Sequence, residues 1–220
     1  MEKKESPREG KEELAPKIPG LSVKAFGVIK FILGICLLPF VYSSSAAFFN
    51  EFTVIDKPLQ NAFWAGIVTL LIVYLFIWEP VIIYAKGQRL LEIVFIFFKP
   101  LVRVAPYLLP IYTVVLFILY GLAGLFSQAA DLLKPFIFLI GFSIGLHLVF
   151  SAKSLRSKQG DFLKGNYIFG FSFVYMVNLI ILSFGLSLLF NKFSFVNFSN
   201  NSFQIAKSIF SAVFKQLFGS

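Results

Sequence analysis

Residues Leu132–Ala152 read LLKPFIFLIGFSIGLHLVFSA. At about 1.5 Å per residue, a helix of this length covers about 30 Å, the thickness of a bilayer's hydrocarbon core. Within it only Lys134, near one end, and His147 can ionise. Four further stretches of similar length and character flank it: Phe26–Phe49, Ala62–Ala85, Ala105–Phe126 and Asn166–Phe190. The pattern predicts an all-α integral membrane protein with five transmembrane helices.

Composition points the same way. The 220 residues are 58% hydrophobic and only 14% charged, where a water-soluble domain is about half apolar and a quarter charged. Thirty phenylalanines overfill a single water-soluble core, yet phenylalanine is favourable at the centre of a membrane helix. The net charge of +9 would suggest nucleic acid in a soluble protein. In this chain it reads as juxtamembrane Lys and Arg that meet anionic lipid, so the expected partner is the bilayer and not nucleic acid.

The placement of those cations sets an orientation. Of the 20 basic residues, fifteen fall on one side: Lys3, Lys4, Arg8, Lys11, Lys17, Lys24 and Lys30 before and at the start of the first span, Lys86, Arg89, Lys99 and Arg103 after the second, and Lys153, Arg156, Lys158 and Lys164 after the fourth. Lys57, Lys134, Lys192, Lys207 and Lys215 fall on the other. The positive-inside rule then predicts a cytoplasmic N-terminus and an external C-terminus in a cell (inner or plasma) membrane. Ser43–Ala47, small residues after a short apolar core, resemble a signal-peptide cleavage site. The long polar region ahead and the continuation into Phe48 and Phe49 favour an uncleaved helix.

The domain reading follows. Residues 1–24, polar and interrupted by Pro7, Gly10, Pro16 and Pro19, are expected to form a disordered cytoplasmic tail. Residues 25–190 form the five-helix transmembrane domain. Gln88–Lys99 is too short to cross and is expected to be a cytoplasmic interfacial segment. Residues 191–220 form an external segment whose Asn201–Phe218 portion repeats apolar residues at helical spacing, as an amphipathic helix does.

Ionisable groups inside membrane segments are costly and so are the default functional candidates. Glu79 and His147 each lie about 10 Å from the same boundary if their helices run straight, which predicts a shared polar site. Ser143, His147 and Ser151 fall on one face of the fourth span, and Gly141 and Gly145, spaced as GxxxG, on the other. Small residues admit a close helix and hydroxyls bond a second neighbour, so this helix is expected to be central. Asn178 reads as interhelical glue. Pro80, Pro106 and Pro110 each free a carbonyl one turn earlier.

Gly141–Gly145 also matches G-x-S-x-G, but that motif requires a sharp strand-to-helix turn, and this match lies in a continuous apolar helix. No catalysis is expected. One cysteine and one histidine exclude an internal disulfide and the usual zinc signatures, and no cofactor fingerprint is present. The first functional reading is a non-catalytic subunit or assembly factor with a membrane-protein partner. The alternative is a small transporter or channel-like protein using Glu79 and His147. An intramembrane serine hydrolase ranks third.

Overall fold

The computed structural model describes residues 20–97, 99–124, 129–156 and 167–219, and among them every element is helical. The helices are α1 (Gly20–Phe52), α2 (Lys57–Ile72), α3 (Val81–Val94), α4 (Lys99–Leu108), α5 (Ile111–Gly124), α6 (Ala129–Leu155), α7 (Tyr167–Leu189) and α8 (Phe195–Phe218). Four segments are long and apolar enough to cross a bilayer: Gly27–Phe52, Lys57–Ile77, Leu132–Leu155 and Tyr167–Leu189. Several such helices in one chain are consistent with a multi-pass membrane protein.

The tail expected over residues 1–24 falls largely outside the described residues, and its last five are already the start of α1. The small residues Ser43 and Ala47 are fully buried. Ser45 meets the Tyr175 hydroxyl at 3.0 Å.

Two expected spans are interrupted. Ala62–Ala85 is not one helix: α2 ends at Ile72, a π-helical turn covers Val73–Ile77, and Trp78 is extended at φ −164°, ψ 141°. Pro80 contributes to the break, because it disfavours helical backbone at Glu79 and has no N–H for the Phe76 carbonyl. The chain restarts as α3, and the stretch expected as an interfacial segment, Gln88–Lys99, covers the second half of α3, a turn at 95–97 and the first residue of α4. Ala105–Phe126 is likewise divided at Leu109–Pro110 into α4 and α5. At 14 residues, α5 alone reaches only about 21 Å.

The directions of the helices follow from their contacts. Phe63 of α2 faces Gly141, and Tyr74 beyond it packs on Phe150 at 5.8 Å, so α2 and α6 run parallel. They form the most extensive helix pair. Thr113 meets Ser143 and Tyr120 meets Phe136, so α5 runs antiparallel to α6. Gly34 lies against Phe169 and Ser45 against Tyr175, which makes α1 parallel to α7. The core lies between these helices and includes Phe48, Phe52, Phe63, Ile137, Ile140, Leu182, Leu186 and Phe193.

The expected amphipathic segment is longer and differently placed than its sequence suggests. The N–H of Ser194 faces a carboxylate oxygen of Glu51 at 3.5 Å, and the Ser194 hydroxyl caps α8 by accepting from the Asn197 N–H at 3.1 Å. From there α8 runs back along α1. Phe193 lies against Phe48, Phe198 and Ala206 are buried, and Phe210 meets Phe40 at 5.3 Å. The helix is therefore antiparallel to α1 and packed lengthwise on it.

Candidate functional site

The site begins with one missing donor. Pro110 has no N–H, and the Ile111 N–H turns to the Leu109 carbonyl at 2.9 Å. The helical donors that the Pro106 and Tyr107 carbonyls would have received are thus withdrawn. A buried carbonyl left unpaired is costly, so other elements must supply partners.

α6 supplies them to Tyr107. His147 Nε2 lies 3.1 Å from the Tyr107 carbonyl oxygen, and the Ser151 hydroxyl donates to the same oxygen at 3.2 Å. A carbonyl only accepts, so the proton on the His147 ring is assigned to Nε2. Ser151 Oγ is also 3.2 Å from the Tyr84 hydroxyl on α3, which donates to it while Ser151 donates onward. Two turns away, Ser143 Oγ pairs with Thr113 Oγ1 at 2.8 Å and donates to the Ile140 carbonyl at 3.1 Å. From α7, Asn178 Nδ2 donates to the Leu108 carbonyl at 3.2 Å and to the Val174 carbonyl at 2.7 Å. Thr113, Ser143, His147, Ser151 and Asn178 are all buried. The polar side chains singled out in the sequence therefore gather around the break between α4 and α5.

Glu79 does not join them. Its carboxylate pairs with Lys153 Nζ, and both side chains keep substantial exposure. A depth matched to His147 requires Glu79 to continue a straight helix toward Lys86, but the extended backbone at Trp78 interrupts that helix. Lys153, Tyr84 and Thr113 were not candidates in the sequence. The prolines marked which carbonyls would be freed, without saying which side chains would reach them.

The glycines lie on the opposite face of α6. A Cβ on Gly141 would collide with the Phe63 carbonyl, and one on Gly66 of α2 with the Phe138 carbonyl. At Gly145 it would meet the end of the Leu70 side chain at 2.9 Å. Gly66 was missed, although Ala62 and Gly66 form the small-xxx-small spacing that marks a close helix contact.

Chemically the site is nearly closed. A void of ≈10 Å³ is lined by Tyr84, Gln88, Pro106, Pro110, Ser143 and His147 among others, enough for about one water. Ser143 Oγ bonds Thr113 and the Ile140 carbonyl, while the His147 Nε2 proton is directed at Tyr107. Among the described residues no group of three or more His, Cys, Asp or Glu side chains could hold a metal ion. A larger apolar cavity of ≈170 Å³ lies between α1, α2, α6 and α7, lined by Phe48, Phe63, Trp64 and Tyr175 among others. No protein-family model, curated protein or solved structure matches this chain, so its function rests on the geometry of these helices.

Proposed function

We propose that this protein is a non-catalytic subunit or assembly factor of a membrane complex, crossing the membrane five times with its N-terminus in the cytoplasm. In this reading α4 and α5 together make the third pass, broken at Pro110 and aligned along α6. The buried hydroxyl, imidazole and amide groups are spent on closing that break. One observation carries the reading: α8 presents an exposed row of polar side chains while packed lengthwise on a membrane-spanning helix. Lipid does not satisfy such a row, whereas another protein does.

The test is extraction from native membranes in a mild detergent. The chain is expected in a stoichiometric complex with at least one other membrane protein, and recovery as a lone protein overturns the proposal. A transporter reading draws on the two broken helices and the void beside His147, since discontinuous helices build transport sites. It predicts ion or solute flux in vesicles that stops in a folded His147→Gln variant.

A further inference from the structure

Eight of the polar side chains of α8 form one continuous stripe, with Ser199, Ser202 and Gln216 outside it. At about 100° per residue, Asn197, Asn200, Asn201, Gln204, Lys207, Ser208, Ser211 and Lys215 fall within an arc of about 120°. All are exposed except Asn201, which is half-buried. The arc facing α1 holds Phe198, Ile205, Ala206, Ile209 and Phe210, and the remaining arc holds the exposed Phe203, Phe214 and Leu217.

Depth makes this stripe informative. The contact between Phe210 and Phe40 lies twelve residues down α1 from Phe52, or about 18 Å, which is near the middle of a 30 Å core. Lys207 sits about one turn before that level and Lys215 about 7.5 Å beyond it. A lysine stem bridges only about one helical turn, so the Lys207 ammonium reaches neither headgroup layer, whereas Lys215 reaches the layer at the end of α8. Among the described residues Glu79 pairs with Lys153, and no carboxylate pairs with Lys207. Charges at this depth are retained where they pair across helices.

We propose that the polar stripe of α8 docks a membrane-embedded helix of another protein that carries a carboxylate opposite Lys207. The inference rests on the subunit reading and names the chemistry of its partner. A second copy of this chain fits less well, because its own stripe brings two more lysines and no acid. The two lysines are eight residues apart, about 12 Å along the helix, which puts Lys207 in the core and Lys215 near its far edge. The amides and hydroxyls between them fit polar side chains on the same partner face.

The test places a photo-crosslinking amino acid at Ser211 in the full chain, with Phe214 in the apolar arc as the control, and irradiates native membranes. The Ser211 adduct is expected on an apolar segment of a different protein that contains Asp or Glu, with little adduct from Phe214. Lys207→Glu with Lys215→Glu is expected to reduce recovery of that partner at least about tenfold, and reversing the partner's acid to Lys to restore it. Should the double variant fail to fold, Lys207→Gln with Lys215→Gln keeps the stripe polar and is expected to weaken recovery in the same direction. Adducts only with lipid, adducts with a second copy, a captured segment without a carboxylate, or full recovery with both lysines reversed each overturn the proposal. A chain that purifies alone overturns the subunit reading as well, whereas a complex that persists with both lysines reversed overturns the docking face only.

Discussion

Gly66 and Gly141 are held between backbones, where a methyl group has nothing soft to displace, while Gly145 faces a mobile leucine end and Gly121 faces open space. Overpacking against rigid backbone costs about 1–3 kcal/mol. Gly66→Ala and Gly141→Ala should therefore lower stability in mixed-micelle unfolding by that amount. Gly145→Ala should cost less, and Gly121→Ala should match the wild type. The polar face of α6 allows a matching test. His147→Leu removes one of the two partners that α6 gives the Tyr107 carbonyl, and Asn178→Leu removes a partner of the Leu108 carbonyl. Each should cost about 1–3 kcal/mol in the same assay, with His147→Gln milder because its amide can still donate. The two-faced character of α6 was legible, because glycines and hydroxyls recur at helical spacing on opposite sides. What the stripe bonds was not legible, since a freed main-chain carbonyl leaves no mark on residue identity beyond the proline that frees it. Glu79 shows the limit of depth arguments, which hold only while the helix stays straight.

The break between α4 and α5 is a property of one residue acting on a whole element. Pro110→Ala restores an N–H, which would let the Pro106 carbonyl take its usual partner and allow Ile111 to bond Tyr107. His147 would then lose its acceptor. Its ring N–H signal should be observable by NMR in the wild type and lost to exchange with water in Pro110→Ala; persistence of the signal would show that the histidine has another acceptor. The prolines made both interruptions foreseeable in kind, yet not their extent. A proline tolerated within a continuous helix, as Pro39 in α1 and Pro135 in α6 are, reads the same in sequence as one that ends a helix. The difference is set by whether a neighbouring element can satisfy the freed groups. α8 posed a similar difficulty. Its spacing announces an apolar face, but the same face suits a headgroup layer or the side of α1.

For the whole molecule, length and hydropathy carried the general plan, an all-helical membrane bundle. They carried the number of passes less well, because a broken pair such as α4 and α5 falls below the length of any single crossing helix. The proposed topology is tested by exposed positions at opposite ends of the bundle. In a Cys36→Ser background, Arg156→Cys should react with an impermeant maleimide only from the cytoplasmic side, and Lys192→Cys only from outside. Labelling of both from one side would sink the five-pass arrangement.

The pairing of α2 with α6 also bears on how the chain is made. Gly66 and Gly141 are about 75 residues apart, so at about 5–20 residues per second α2 leaves the ribosome roughly 4–15 s before its mate exists. During that interval its small-residue groove has only lipid, or a guardian protein, to cover it. Chains stalled before α6 should consequently be the ones that quality-control proteases remove first.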